Sequence, residues 1–293
     1  MKILLFGAGG QLGSKLGSLL SARGTVRAVT HADLDLRDLP RLRTLIRESR
    51  PELIVNAAAY TAVDAAETDA EAARLVNAEA PRVMAEAAHE LGALIVHYST
   101  DYVFDGTART PYTEDAPTAP LGVYGATKCD GEEAVAASGA DYLTLRTAWL
   151  YSNRGKNFLN TMLRLAAERD ELRVVNDQTG SPTYSDLLAE ATMAILDGMY
   201  ANGEVRRERC GLYHASCSGA TSWWGFARRI VELAGFAARV TVTPITTVEY
   251  PTPVKRPAYS VLSNAKLARV FGVRLLDWDA GLQRCLAERS AGG

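Results

Sequence analysis

Short apolar segments alternate with helical patterns over the first 150 residues, and this alternation constrains the fold more than any other feature. Successive apolar side chains are typical of strands that are buried on both faces of a parallel sheet. Because a helical pattern follows each segment, the chain predicts an α/β fold with a doubly wound parallel sheet. The predicted strands are residues 2–6, 26–29, 53–56, 94–98 and 142–146, and the predicted helices are residues 11–22, 40–49, 70–91 and 124–137.

The alternation ends near Trp149, and glycine and proline interrupt the second half of the chain irregularly. Open α/β sheets bind their ligands at the carboxyl ends of the strands. We therefore expect a sheet domain over residues 1–150 and a smaller, mostly helical substrate-binding lobe over residues 151–293, interleaved with the sheet. Helical patterns in this lobe lie near residues 158–168, 185–199, 222–234 and 264–271.

Composition disfavours several classes of function. The 293 residues include 32 basic and 34 acidic side chains, so the formal charge is −2, and no basic cluster suggests nucleic acid as a partner. The chain shows neither the ~18 consecutive apolar residues of a membrane span nor a signal-peptide pattern, so we expect no membrane partner and a cytoplasmic protein. Cys210, His214 and Cys217 lack a fourth ligand for zinc, and we predict no metal site.

A glycine-rich turn connects the first predicted strand to the first predicted helix. Gly7, Gly10 and Gly13 have the spacing G-x-x-G-x-x-G. Glycine permits a tight turn, lets the backbone approach a pyrophosphate, and allows the helix to pack closely on the strand. The phosphate then lies on unpaired N–H groups at the helix N-terminus. The turn therefore predicts a Rossmann-like sheet, with residues 1–150 as an NAD(P)-binding domain.

The residues after the second predicted strand leave the choice of cofactor open. An acid about 20 residues beyond the glycines normally binds the adenosine ribose 2′-hydroxyl and favours NAD. Asp33 and Asp35 lie in this region, but the strand ends before them, at Thr30 and His31. An acid could therefore face the adenine, while His31 and nearby arginines could tolerate a 2′-phosphate. The expected cofactor is NADPH or NADH.

Three side chains near the predicted strand ends form a set suited to ketone reduction. Tyr124 and Lys128 are four residues apart on one helix face, and Thr100 follows the strand at 94–98. Hydride addition to a ketone produces an alkoxide, and a tyrosine with a lowered pKa can protonate it as it forms. A lysine ammonium one turn away favours the phenolate, and a threonine hydroxyl polarises the carbonyl. We therefore predict Tyr124 as the acid.

These residues and several longer motifs resemble the extended short-chain dehydrogenase/reductase family over nearly the whole chain. The motifs are residues 55–64, 99–106, 124–128, 146–149, 176–183, 211–214 and 256–260. Motifs in the substrate lobe carry the most information, because related epimerases and dehydratases share the Tyr–Lys pair.

The resemblance implies a role for each candidate residue, according to the part of the ligand that it meets. Residues at the pyrophosphate are Gly7, Gly10, Gln11 and Leu12, and residues at the adenine end are Asp35 and Leu36. Residues at the nicotinamide half are Ala59, Tyr60 and Thr61, with Tyr124 as acid and Lys128 on the nicotinamide ribose. Residues around the sugar are Thr100, Asp101, Tyr102 and Trp149. The aromatic face of Trp149 suits the C–H face of a deoxysugar, with core packing as the alternative.

Within this family, the chain resembles reductases of nucleotide sugars. The implied reaction reduces the C4 ketone of dTDP-4-dehydro-L-rhamnose to dTDP-L-rhamnose, a precursor of cell-surface polysaccharide. One alternative is a reductase that makes another dTDP-deoxysugar, and another is a non-catalytic NADP-binding regulatory subunit. The intact set of Thr100, Tyr124 and Lys128 argues against the second alternative.

One position departs from the family pattern. Some members bind Mg²⁺ at a dimer interface through glutamates, one of which lies on the first helix, where this chain has Lys15. A lysine ammonium has no lone pair for a metal ion. We therefore expect a monomer or a homodimer, and not a dimer bridged by metal.

Overall fold

The computed structural model describes residues 1–291, and a six-stranded parallel sheet lies at its centre. In chain order the strands are β1 (Lys2–Phe6), β2 (Thr25–Val29), β3 (Leu53–Asn56), β4 (Leu94–Thr100), β5 (Asp141–Thr147), β6 (Leu150–Tyr151), β7 (Glu171–Val175), β8 (Thr179–Gly180), β9 (Thr183–Tyr184), β10 (Tyr200–Ala201), β11 (Glu204–Val205), β12 (Gly211–His214), β13 (Thr221–Ser222) and β14 (Thr241–Ile245). The order in the central sheet is β12-β5-β4-β3-β1-β2. The chain therefore winds outward in two directions from β1 and β3, which confirms the predicted doubly wound fold.

Helices follow the strands, as the sequence periodicity predicts. They are α1 (Gln11–Leu20), α2 (Leu39–Ser49), α3 (Ala70–Arg74), α4 (Ala80–Leu91), α5 (Val123–Ala137), α6 (Phe158–Glu168), α7 (Ser185–Met199), α8 (Trp223–Leu233), α9 (Ala265–Phe271) and α10 (Trp278–Ala291). Two apolar cores lie on opposite faces of the sheet. Ile3 and Leu5 point into one core, and Leu4 and Phe6 point into the other. This alternation explains why β1 is apolar at successive positions.

The prediction of one continuous helix over residues 70–91 is wrong. A π-helical segment, Leu75–Glu79, separates α3 from α4. Such a segment inserts one residue into a helical turn and often lies beside a functional site. Apolar periodicity does not reveal it, because Ala72, Ala73 and Ala80 are buried on both sides of the insertion.

The second half of the chain supplies more strand than the sequence predicts. β12 joins the central sheet beside β5, and β7 pairs in parallel with β14 in a separate two-stranded sheet. Residues 292 and 293 of the predicted second unit lie outside the described residues, and the boundary near residue 150 stays a prediction. Among the residues described, no helix has both the length and the apolar character that crossing a membrane requires.

Candidate active site

A cavity of about 1160 Å³ opens at the carboxyl ends of the central strands. The ends of β1 to β5 contribute to its wall, and Trp223 comes from the second half of the chain. The predicted site residues all line it, namely Gly7, Gly10, Gln11, Leu12, Asp35, Leu36, Ala59, Tyr60, Thr61, Thr100, Asp101, Tyr102, Tyr124, Lys128 and Trp149. The structure thus brings the complete set together at one site, while the role of each residue stays a prediction.

The glycine turn leaves no space for side chains where the backbone must pass closely. Gly7 has a φ of 75°, and a Cβ there would lie 2.6 Å from the carbonyl carbon of Ala57. A Cβ at Gly13 would lie 2.0 Å from the carbonyl oxygen of Gly7. Helix α1 begins after Gly10 without a side-chain cap, so its first N–H groups are available to an anion. This geometry fits the pyrophosphate of a dinucleotide.

An acid and an arginine lie together at the end of the cavity predicted to meet the adenosine. The Oδ2 atom of Asp35 lies 2.5 Å from the Nη2 atom of Arg37, and hydrogen bonds from Arg37 lower the pKa of Asp35 to about 2. Asp33 instead accepts hydrogen bonds from the amide and the hydroxyl of Thr30, at 2.8 and 2.6 Å. The carboxylate of Asp35 can accept from a ribose hydroxyl, and Arg37 can bind a 2′-phosphate. Both cofactors therefore remain compatible with the site.

The loop that carries Ala59, Tyr60 and Thr61 is held by a buried asparagine that the sequence analysis missed. The Oδ1 atom of Asn77 accepts a hydrogen bond from the amide of Tyr60 at 2.8 Å, and its Nδ2 atom donates to the carbonyl of Tyr60 at 3.1 Å. The same Nδ2 atom donates to the hydroxyl of Thr127 on α5, at 3.2 Å. Asn77 lies in the π-helical segment, which thus connects this loop to the helix of Tyr124.

The hydroxyl of Tyr124 lies beside Thr100 at the carboxyl end of β4. Thr100 is the last residue of this strand and does not follow it, because β4 extends two residues beyond the prediction. Burial raises the pKa of Tyr124 to about 12, although a hydrogen bond with Thr100 lowers it in part. Tyr102 contacts Tyr124 edge to face, with ring centroids 5.6 Å apart.

In the protein without ligands, burial outweighs the predicted effect of Lys128 on the pKa of Tyr124, and the role of the pair stays a prediction. We expected the lysine to lower the pKa of the tyrosine, but burial dominates and the pKa is raised. Lys128 is itself buried, and its Nζ atom lies 2.6 Å from the carbonyl oxygen of Tyr98 and 3.2 Å from Nε2 of His97. Burial lowers the pKa of Lys128 to about 8. The lysine is therefore bound to β4 rather than to the phenol.

Asp101 is a buried carboxylic acid beside the reactive pair. Only 1% of the residue is exposed, and its Oδ1 atom accepts a hydrogen bond from the hydroxyl of Thr100 at 3.1 Å. Burial raises the pKa of Asp101 to about 6, with hydrogen bonds from Ser260 and Thr100 partly opposing the rise. Asp101 therefore takes part in the same hydrogen-bonded group as Thr100.

Two tryptophans stack on the wall of the cavity. The rings of Trp149 and Trp223 are parallel within 3°, with centroids 3.5 Å apart. Trp149 has a left-handed φ of 45°, and a Cβ on Gly180 would lie 2.4 Å from its indole ring. Trp223 therefore covers one face of Trp149. This face is closed to a sugar, although the sequence analysis treated the ring as free to meet one.

Three residues of the site escaped the sequence analysis, and each left a weak signal. His97 interrupts the otherwise apolar segment 94–98, Asn77 lies in an alanine-rich stretch, and Trp223 follows the N-cap Ser222. Buried polar residues in apolar segments are uncommon, so His97 was the most detectable of the three. Asn77 depends on the π-helical turn, and Trp223 depends on a contact that is distant in sequence.

The side chain of Lys15 on α1 forms an ion pair. Its Nζ atom lies 3.0 Å from Oδ2 of Asp186. Within residues 1–291, no group of three or more His, Cys, Asp or Glu side chains is arranged to hold a metal ion.

The strand order, the glycine turn and the Tyr124–Lys128 pair define a Rossmann-type protein of the extended short-chain dehydrogenase/reductase class. The profile of the family described as "RmlD substrate binding domain" matches residues 1–291, and the chain belongs to this family.

Similar proteins carry consistent names. A dTDP-4-dehydrorhamnose reductase of Burkholderia thailandensis is 46% identical, and the match covers 98% of this chain and 99% of that protein. The crystal structure of a dTDP-4-dehydrorhamnose reductase from Clostridium acetobutylicum has a TM-score of 0.92 at 40% identity, and covers 99% of this chain and 100% of that one. A third, from Bacillus anthracis in complex with NADP, has a TM-score of 0.90 at 36% identity, and covers 98% and 100%.

Proposed function

We propose that this chain is an NADPH- or NADH-dependent reductase that converts the C4 ketone of dTDP-4-dehydro-L-rhamnose to the alcohol of dTDP-L-rhamnose. The observation that carries the proposal is the position of Thr100, Tyr124 and Lys128 in the same cavity as the glycine turn. The names of the relatives supply the substrate, because all three proteins described above are dTDP-4-dehydrorhamnose reductases.

The residues present fit a dinucleotide. The turn at Gly7 and Gly10 offers a side-chain-free approach for the pyrophosphate, and Asp35 with Arg37 lies at the adenosine end. The loop of Ala59, Tyr60 and Thr61, which Asn77 holds in place, lines the part of the cavity assigned to the nicotinamide. When bound, the reduced cofactor supplies the hydride.

Thr100, Tyr124 and Lys128 then supply the proton and stabilise the charge that develops on the reacting atoms. With substrate bound, the hydroxyl of Thr100 would turn from Asp101 to the carbonyl oxygen, donate a hydrogen bond to it and polarise it. Tyr124 holds the proton that the new alkoxide takes, and its raised pKa keeps it protonated at neutral pH in the ligand-free protein. A charged Lys128 stabilises the phenolate that remains, so the lysine must be protonated for catalysis.

The sugar is assigned to the region between Tyr124 and the stacked tryptophans. Trp149, Asp101 and Tyr102 all line this part of the cavity, and Trp223 covers one face of the Trp149 indole ring. The four cysteines are free thiols, which supports a reducing cytoplasm as the compartment. The predicted assembly, a monomer or a homodimer, belongs to the same proposal.

The decisive experiment incubates the protein with dTDP-4-dehydro-L-rhamnose and either NADPH or NADH, and identifies the sugar by NMR. We expect oxidation of the cofactor in step with formation of dTDP-L-rhamnose. A product with the other configuration at C4 would identify a reductase of another dTDP-deoxysugar. Cofactor binding without turnover would instead identify a regulatory subunit, and would contradict the proposal.

A further inference from the structure

A buried histidine contacts the lysine of the candidate active site. His97 lies in the middle of β4 and is 0% exposed, with its Nε2 atom 3.2 Å from Nζ of Lys128. The carbonyl oxygen of Tyr98 lies 2.6 Å from the same Nζ atom and can only accept. Lys128 is thus held between a fixed acceptor and an imidazole whose role depends on its tautomer.

The neighbouring strand determines that tautomer. Asn56 is paired with His97 in the register of β3 and β4. The amide of Ala58 donates to Oδ1 of Asn56 at 3.2 Å, which orients the side chain so that Nδ2 faces Nδ1 of His97 at 3.1 Å. Because Nδ2 can only donate, Nδ1 of His97 must accept, and the ring proton lies on Nε2.

A proton on Nε2 points at the amino group of Lys128. An ammonium group has no lone pair and would face this N–H with a second N–H, whereas a neutral amine can accept the hydrogen bond. We propose that His97 is a positioning residue that donates from Nε2 to the amine form of Lys128 and so favours this form over the ammonium in the ligand-free protein.

Other groups around Lys128 act in both directions. Burial lowers its pKa to about 8, and Glu132, one turn along the same helix, raises it. Glu132 is itself paired with Arg146 of β5 at 2.5 Å, so its charge is balanced nearby. Burial depresses the pKa of His97 well below its usual value, and Lys128 in its charged form lowers it further, so the imidazole stays neutral with either form of the lysine. A neutral ring is the form that the tautomer argument requires.

The consequence for catalysis rests on the proposed function, which needs a charged lysine. His97 can accept from an ammonium through Nε2 if its proton moves to Nδ1 and the amide of Asn56 turns its oxygen toward the ring, which breaks the hydrogen bond from Ala58. The ring gains and loses no net proton in this change. One side chain can therefore serve both charge states of Lys128, and Asn56 determines which state is favoured.

The tautomer can be measured without substrate. In ligand-free, ¹⁵N-labelled protein kept above pH 8, where Lys128 is mainly the amine, NMR should show His97 with a bare Nδ1 and a protonated Nε2. The signals are assigned by their loss in His97→Gln. The Asn56→Asp variant offers only acceptor oxygens, so it should reverse the tautomer. A wild-type ring that carries its proton on Nδ1 would overturn the proposal.

The pH dependence of catalysis tests whether Asn56 determines the charge state of Lys128. Because Asn56→Asp favours the ammonium form, the alkaline limb of kcat/KM should move to higher pH by roughly one unit or more. The new carboxylate also acts directly on Lys128 through space, so the same substitution is made in a His97→Phe background. We expect the shift to disappear there, and a shift of equal size in both backgrounds would contradict a relay through His97. A wild-type protein without turnover would refute the proposed function, while the NMR result would still test the tautomer.

Discussion

Substitution of Gly131 by alanine tests how the π-helical segment positions the catalytic helix. Gly131 is buried on α5, one turn beyond Lys128, and a Cβ there would lie 2.1 Å from the carbonyl oxygen of Asn77. Since real Cβ contacts stay beyond 3.0 Å, α5 and the segment must separate by about 0.9 Å. Overpacking of this kind lowers the free energy of unfolding by roughly 1–3 kcal/mol. The better helix propensity of alanine offsets about 1 kcal/mol of this loss.

The separation should affect catalysis more than stability. Asn77 binds both Tyr60 and Thr127, so its movement changes the distance between the cofactor loop and the catalytic helix. A misplacement of about 1 Å can cost roughly 10²-fold in rate. We expect kcat/KM of Gly131→Ala to fall by at least about tenfold, and the midpoint of thermal unfolding to fall by roughly 2–4 °C.

A matched control lies on α1. A Cβ on Gly17 would meet only the side chain of Leu5, at an ordinary 3.5 Å. The Gly17→Ala variant should therefore keep its activity and unfold at the same or a higher temperature. Wild-type kinetics in Gly131→Ala, with unchanged thermal stability, would refute the reasoning from the close contact.

Three further predictions concern individual side chains. Tyr124→Phe should lower kcat by roughly 10²–10⁴-fold while calorimetry shows almost unchanged NADPH binding, and a wild-type kcat would remove Tyr124 from the mechanism. Trp149→Ala should lose at least about tenfold in kcat/KM, while its NADPH affinity stays within a few-fold of wild type. Trp224→Ala is the control variant, because Trp224 does not line the cavity and its Nε1 atom donates to the carbonyl of Val242 at 2.8 Å. Normal turnover with reduced stability in Trp149→Ala would indicate core packing alone. EDTA should change neither activity nor sedimentation, because Lys15, paired with Asp186, occupies the position at which some family members have a glutamate that binds Mg²⁺. A dimer that is lost on chelation and restored by Mg²⁺ would contradict this prediction.

Local patterns allowed much of the fold and the site to be predicted from the sequence. The strand at 53–56 and the helices at 158–168 and 185–199 were predicted with the bounds that the structure shows, because each depends on short-range periodicity. The glycine turn and the pair formed by Tyr124 and Lys128 also depend on spacing within a few residues, and the structure places both at the cavity.

Contacts between distant parts of the chain could not be predicted in the same way. Trp223 stacks on Trp149 across 74 positions, and the left-handed φ of 45° at Trp149 is tolerated only in this packed setting. Desolvation likewise raises the pKa of Tyr124 against the local effect that its spacing from Lys128 suggested. Burial is a property of the whole fold, so the sign of this shift required the structure.

The position of β12 has a consequence for how the protein is made. This strand pairs with β5 through residues 211–214, so β5 is an unpaired edge until the ribosome has synthesised more than two thirds of the chain. An exposed edge with buried residues such as Leu143 and Leu145 is a template for pairing with other chains. A nascent chain that ends near residue 150 is therefore an aggregation-prone intermediate. Premature termination at this point should yield aggregates and not a fragment that binds a nucleotide.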